Sequence, residues 1–239
     1  MSQKIIIIGS TSGMGRRMAE IYAEGGNRVG ATGRRKSLLD ELQQQYPQQV
    51  ETENFDITKN ENIERLQSLV NKLGGLDLLI ISAGIGESSK KLRWELDKLM
   101  VDTNVNGFVE IANWTYNFFE RQGYGHLVTI SSIAGIRGSS YAPAYSASKS
   151  FHSNYFEGLS IKARKHKKKI FITCIEPGFV NTKMAKGNKR FWVASTDKAA
   201  RQIIKAIQKK KRKTYITTRW WFIAKFMKWA PYWLYRKFG

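Results

Sequence analysis

The sequence predicts an α/β fold: a doubly wound parallel sheet with helices on both faces, extended by a C-terminal amphipathic, aromatic and basic helical tail. Three observations predict it. Short apolar runs alternate with longer stretches of helical periodicity along the chain, the pattern of a parallel sheet crossed by helices. A glycine-rich turn joins the first apolar run to the first helical stretch. The last 21 residues hold four of the seven tryptophans and no acid.

The elements follow in order. KIIIIG (4–9) is a short apolar run closed by glycine, a strand buried on both faces. Residues 13–25 have helical spacing, and NRVGAT (27–32) is the second strand. Residues 36–46 form a helix that stops before Pro47, and VETENF (50–55) is the third strand. Residues 59–73 place Ile63, Leu66, Leu69, Val70 and Leu73 on one helix face, and LDLLIIS (76–82) is the fourth strand. One long helix over 95–120 precedes the strand HLVTIS (126–131). A second, over 143–167, precedes IFITCI (170–175). Helix 196–211 and strand TYIT (214–217) complete the series. No linker or internal repeat divides the chain, so residues 1–218 form one domain and 219–239 a tail. The segment 178–194 is a long loop, of a length that is usually functional or mobile.

Composition narrows the classes. No stretch approaches the roughly 20 apolar residues of a membrane span, and the opening apolar run is too short for a signal peptide. The single cysteine, Cys174, excludes an intramolecular disulfide and suits a reducing, cytoplasmic compartment. His126, His152 and His166 lack metal-ligand spacing, so no metal site is expected. The net charge is +21, and it is uneven. Residues 1–120 hold 14 Lys/Arg against 16 Asp/Glu, whereas residues 121–239 hold 26 against 3. Such asymmetry fits an anionic partner or a solvated basic face.

GSTSGMG (9–15) leaves the first strand and opens the first helix. Gly9 permits the tight exit; Gly13 and Gly15 let backbone approach a pyrophosphate closely. Ser10, Thr11, Ser12 and Met14 complete this loop, and the helix N-terminus offers free N–H groups to phosphates. The arrangement predicts a Rossmann-like dinucleotide site. A carboxylate about twenty residues on would bind the ribose 2′-hydroxyl of NAD. Here the chain reads Gly33-Arg34-Arg35. A guanidinium suits a 2′-phosphate, so NADP(H) is the expected cofactor, with Arg34 as its ligand and Arg35 in solvent.

YSASK (145–149) sets Tyr145 and Lys149 at i, i+4 on one helix face. A cation beside a phenol favours the phenolate, and a tyrosine so tuned exchanges protons near neutral pH. Ser132 lies thirteen residues before Tyr145, where the fifth strand ends. With G-x3-G-x-G, Asn104, S-x12-Y-x3-K and Pro177-Gly178 in order, residues 4–217 resemble the short-chain dehydrogenase/reductase family. The resemblance implies that Tyr145 is the proton donor or acceptor and that Ser132, rather than Ser131, binds the substrate oxygen. It implies that Lys149 holds the nicotinamide ribose and lowers the tyrosine pKa, and that Asn104 completes a water-linked relay. By the same resemblance Asp56, Ile57, Ala83, Gly84, Pro177, Gly178, Val180 and Thr182 join the cofactor site. Ser82 stands where the family often has asparagine, and Ile8 where it often has threonine. Family members are often dimers or tetramers, so a homo-oligomer is expected.

The implied reaction is hydride transfer between the nicotinamide and a carbonyl or secondary alcohol. A lipophilic ketone or alcohol, in one form anionic, fits a lid over 180–195 that mixes Lys183, Lys186, Lys189 and Arg190 with Phe191 and Trp192. A 3-oxoacyl-carrier reductase and a non-catalytic NADP(H)-binding regulator are the alternatives. As a helix, 219–229 puts Trp220, Phe222, Ile223, Phe226, Met227 and Trp229 on one half, and Lys225, Lys228 and Trp221 on the other. That composition suits membrane-surface docking, packing on the protein's own substrate lobe, or a sister subunit. Nucleic acid is disfavoured, because the aromatics form no recognisable RNA-binding module. The basic runs at 162–169 and 209–213 precede strands and fall on the rim away from the site.

Overall fold

The computed structural model describes residues 2–165, 168–182 and 191–237. Seven strands form one wholly parallel sheet in the order β3-β2-β1-β4-β5-β6-β7. They are β1 Lys4–Ile8, β2 Arg28–Gly33, β3 Val50–Asn54, β4 Leu78–Ile81, β5 Tyr124–Ile130, β6 Lys169–Pro177 and β7 Lys213–Ile216. The order reverses at β1, which pairs with β2 on one side and β4 on the other. This makes the mouth above β1 the switch point, where ligands of such sheets bind.

The four consecutive isoleucines of β1 are all fully buried because a strand sends alternate side chains to opposite faces. Ile5 and Ile7 join an apolar layer with Met18 and Ala19 of α1 (Gly13–Glu24), Leu39 and Leu42 of α2 (Lys36–Gln45), and Ile203 of α7 (Thr196–Gln208). Ile6 and Ile8 join the opposite layer with Leu66 and Leu69 of α3 (Asn62–Leu73), Phe108 and Phe119 of α5 (Phe108–Gln122), and Phe156 of α6 (Pro143–Lys165). Each such burial contributes about 1.5–3 kcal/mol, so two covered faces require an unbroken apolar run.

The long helix expected over 95–120 is divided. α4 (Trp94–Val101) runs into a π-helical turn, Asp102–Gly107, before α5 begins. Gly107 packs so closely on the loop after β3 that a Cβ there would lie 2.1 Å from the Ile57 carbonyl oxygen. The widened turn carries Asn104, and wide turns of this kind recur at functional sites. α3 also starts later than expected, because Asp56 first closes a turn by accepting from Thr58 N and Oγ1, both at 3.0 Å.

After β7 the tail forms α8 (Trp220–Trp229) and the short α9 (Tyr232–Tyr235). The apolar half expected for α8 is split. Trp220 and Ala224 are buried, and Ile223 and Met227 are half-buried, whereas Phe222, Phe226 and Trp229 are 68%, 54% and 77% exposed. Arg137, in the loop after β5, donates to the carbonyls of Met227 (3.2 Å) and Ala230 (2.9 Å) and stacks on Tyr235. The Tyr235 hydroxyl donates to Gly138 O at 2.8 Å. Among the described residues, no helix is long and apolar enough to cross a membrane.

Candidate active site

The loops after β1 to β6, the π-helical turn and the first turns of α6 carry the candidate site residues. Gly9 takes φ +90°, open to glycine, and a Cβ on it would meet Ala83 N at 2.7 Å. Gly15 lies so close under Gly9 that a Cβ would sit 2.1 Å from the Gly9 carbonyl. Thr182 covers the turn, 3.5 Å from where a Gly13 Cβ would be. Ser12 is the N-cap residue of α1 but its side chain makes no capping bond, which leaves the helix N-terminus open toward this loop. The cradle therefore fits a dinucleotide pyrophosphate. Not every residue of the loop faces it. Ser10 is buried, donates to Ile7 O at 2.5 Å and accepts from Thr32 N at 3.3 Å. Met14 packs on the apolar layer, and the Ile57 side chain lies in the opposite one. Those three shape the site from behind.

At the mouth the two arginines take different partners. Arg34 lies 3.6 Å from Asp56. Partial burial would raise the Asp56 pKa, but the Thr58 hydrogen bonds and Arg34 together hold it below the usual range. Arg35 is the residue that reaches the glycine turn, donating to Thr11 Oγ1 at 2.6 Å and Ser12 Oγ at 2.7 Å. Arg35 is exposed, as expected, but the turn after β2 points its guanidinium back at the loop. At Gly33 a Cβ would meet Thr11 Cγ2 at 2.6 Å, so a larger residue is crowded there.

The candidate reacting groups, Ser132, Tyr145 and Lys149, follow β5 in the chain. Lys149 is buried, its ammonium donates to Ile130 O at 3.1 Å and lies 5.9 Å from the Tyr145 ring centroid. Burial lowers the Lys149 pKa to about 8. Burial raises that of Tyr145, and a hydrogen bond from Ser132 opposes the rise. The expected lowering of the phenol by the lysine is therefore not the dominant effect in the protein alone; loss of water around the ring outweighs it. Ser131 is buried, and its hydroxyl donates to Lys149 O at 2.7 Å. Gly84 closes over Lys149 and Asn104: a Cβ would lie 3.2 Å from the ammonium. Pro177 ends β6, Gly178 N donates to Ile216 O at 2.6 Å, and Val180 is buried and bridged to Ala194.

Asn104 is fully buried, and its side chain is committed to protein. Oδ1 accepts from Ile85 N at 2.9 Å, and Nδ2 donates to Ile85 O at 2.8 Å and Ser148 Oγ at 3.0 Å. Its carbonyl accepts from His152 Nε2 at 2.6 Å. His152 stacks on Phe108 at 3.8 Å, and burial holds its pKa well below the ordinary value. His152 and Gly86, whose missing Cβ would touch the Tyr145 ring at 2.8 Å, are site residues that sequence reasoning missed. The i, i+3 spacing of Lys149 and His152 was the available signal. Among the described residues no cluster of His, Cys, Asp or Glu could hold a metal ion.

Phe179, Phe191, Trp192 and Trp220 pack ring against ring beside Gly178, with centroids 5.1–6.0 Å apart. Lys183, Lys186, Lys189 and Arg190, expected in the lid, lie outside the described residues.

The profile of the short chain dehydrogenase family matches residues 3–191. An uncharacterized oxidoreductase of Myxococcus xanthus is 37% identical over 189 residues, 77% of this chain and 74% of its own. A short chain dehydrogenase/reductase of Burkholderia phymatum, solved with NAD, superposes with TM-score 0.85 at 16% identity, covering 94% and 92% of the two chains. An actinorhodin polyketide ketoreductase solved with NADPH gives TM-score 0.71 at 25% identity, covering 77% and 75%.

Proposed function

The chain belongs to the short-chain dehydrogenase/reductase family, and we propose that it is an NADPH-dependent carbonyl reductase acting on a lipophilic ketone. The observation that carries the reading is the cluster of Ser132, Tyr145 and Lys149 on the rim beside the open glycine turn. When bound, the nicotinamide cofactor supplies the hydride to the carbonyl carbon. Gly9, Thr11, Ser12, Gly13 and Gly15 hold its pyrophosphate, with Asp56, Ala83, Gly84, Pro177, Gly178, Val180 and Thr182 around its two ends. Ser132 hydrogen-bonds the substrate oxygen, and Tyr145 gives that oxygen its proton. A phenol kept protonated by burial is suited to donate. Lys149 binds the ribose and, as a buried cation beside the ring, stabilises the phenolate left behind. Asn104 positions the 84–86 loop over Lys149.

NADP(H) is supported by two guanidiniums at the mouth and by the absence of a carboxylate at Gly33. A lipophilic substrate is supported by the aromatic side chains Phe179, Phe191 and Trp192 packed beside Gly178. The same reading makes the protein cytoplasmic and homo-oligomeric, and gives residues 219–239 a peripheral contact with a membrane surface.

The test is a fluorescence titration with NADPH and NADH, followed by NADPH oxidation with ketones of graded chain length. Tighter binding of NADPH and turnover rising with chain length are expected. Tyr145→Phe abolishes turnover and leaves NADPH binding intact. Full turnover by that variant, or equal affinity for NADH, overturns the respective part of the reading.

A further inference from the structure

The tail of this protein shows three faces, and only one is used by the fold. Trp220 and Ala224 turn inward. Trp221, Lys225 and Lys228 line a groove of about 730 Å³ whose other wall holds Lys211, Arg212 and Lys213 at the outer edge of β7. Phe222, Phe226 and Trp229 point out, continued by Tyr232 and Trp233 at 73% and 58% exposure. The basic run at 209–213, expected on the rim away from the site, thus reaches the tail through Lys211, Arg212 and Lys213, because α8 folds back beside the edge strand.

The charge of this region is one-sided. No acidic residue follows Asp197, and thirteen Lys/Arg do. Within the groove, Arg212 pairs with Glu157 at 3.2 Å and Lys213 with buried Glu176 at 2.6 Å. Among the described residues, Lys211, Lys225 and Lys228 have no carboxylate within ion-pair distance. Exposed tryptophan and tyrosine next to unpaired lysine is the chemistry of a headgroup layer: rings seat at the acyl boundary, and ammonium groups meet phosphates. The ten residues of α8 extend only about 15 Å, too short to span a bilayer, so the helix lies in the plane of the surface.

We propose that α8, α9 and the adjoining groove form a docking surface for an anionic lipid bilayer, with headgroup phosphates held by Lys211, Lys225 and Lys228. The surface is coupled to the catalytic rim at two points. Arg137 ties the end of α8 to the loop that follows Ser132, and Trp220 packs on Gly178 and Phe179. Docking therefore brings the substrate entrance against the headgroup layer. This deepens the peripheral contact proposed above by naming the lipid charge and the residues. Only the delivery of a lipophilic ketone from the bilayer rests on the reductase reading.

The experiment is co-sedimentation of the full chain with vesicles of phosphatidylcholine alone or with a minority of phosphatidylglycerol. The expected result is strong binding to the anionic vesicles, weak binding to the neutral ones, and a blue shift of tryptophan emission. Lys225→Gln with Lys228→Gln lowers the partition coefficient roughly thirty-fold, at about fivefold for each surface cation. A charge-matched pair at the opposite end of the sheet, Lys36→Gln with Lys59→Gln, lowers it less than about twofold by the same electrostatics. Phe226→Ser with Trp229→Ser loses the blue shift; all these side chains are exposed, so the melting temperature stays unchanged. Equal loss in the two lysine pairs, equal binding to neutral vesicles, or no sedimentation overturns the proposal. So does a dimer that Trp229→Ser dissociates, which would assign the face to a second copy of the chain. Reduction of a short, water-soluble ketone is measured in the same variants. If it persists while vesicle binding is absent, docking fails and the reductase reading stands; if it is absent in the wild type, the reductase reading fails separately.

Discussion

Trp220 joins the tail to Gly178 and Phe179 after β6, and its removal gives a quantitative test of that joint. The indole is 1% exposed. A Cβ on Gly178 would overlap it, at 2.1 Å from Cε2. An aromatic side chain buries roughly 150–250 Å², worth about 4–6 kcal/mol at 25 cal/mol per Å². Against this, the buried Nε1 has no hydrogen-bond partner among the described residues, a penalty of about 1–3 kcal/mol. The net contribution is roughly 3 kcal/mol, at the lower end of measured Trp→Ala losses. Trp220 and Ala224 are the only buried residues of α8, so the loss is local: the tail undocks before the sheet unfolds. In Trp220→Ala, amide exchange in α8 accelerates by roughly a hundredfold, from 1.36 kcal/mol per decade, while β1 and β4 keep their protection. Trp220→Phe removes the unpaired donor together with part of the ring, and its loss is roughly 1 kcal/mol. Exchange mass spectrometry reads both variants. Unchanged α8 exchange in Trp220→Ala, within about threefold of wild type, refutes the docking role of the ring.

Further outcomes follow from the site. Arg35→Ala weakens NADPH binding roughly 10- to 100-fold, the loss of one charged hydrogen-bonding partner, and leaves NADH binding unchanged; an equal loss for both cofactors excludes contact with the 2′-phosphate. Ser132→Ala removes the one contact that lowers the Tyr145 pKa, so the alkaline rise in alcohol oxidation moves to higher pH; an unmoved profile breaks the assignment. His126 is buried, hydrogen-bonded to Thr173 Oγ1 at 2.8 Å, and its pKa is lowered by burial to about 4. Its folded-state pKa is depressed, so its contribution is complete above about pH 6.5 and lost as pH falls through 4, roughly 3 kcal/mol in all. Denaturant melts of His126→Gln between those pH values show a shallower loss than wild type.

Much of the fold was legible because its signals are local. Ile5 to Ile8 read as a doubly covered strand from composition alone, and the predicted strands recur within one to three residues. The glycine turn and the Tyr145–Lys149 pair were legible as candidates because each depends on a fixed spacing within one strand–turn–helix unit or one helical turn, and Ser132 because it closes the strand that precedes them. The break at Asp102–Gly107 was not, because it answers to the Ile57 carbonyl, some fifty residues away. Arg34 and Arg35 are chemically identical in sequence, and only the direction of the turn after β2 separates the partner of Asp56 from the partner of Thr11 and Ser12. His152 looked idle because its role is a bond to a backbone carbonyl on another helical segment.

The sequence by itself determined the alternation of strands and helices, the glycine turn after β1 and the i, i+4 placing of Tyr145 and Lys149 on one helix, since each follows from periodicity or spacing along the chain. The tertiary structure alone decided which half of the tail is buried. Helical periodicity offered six apolar residues as one face, but Gly178 leaves space for a single indole, and Trp220 takes it. Phe222, Phe226 and Trp229 remain in solvent because the surface beneath α8 is already filled by that ring and by Ala224. The meeting of Lys225 and Lys228 with the 209–213 run was likewise a tertiary outcome, because it depends on α8 folding back along the open edge of β7.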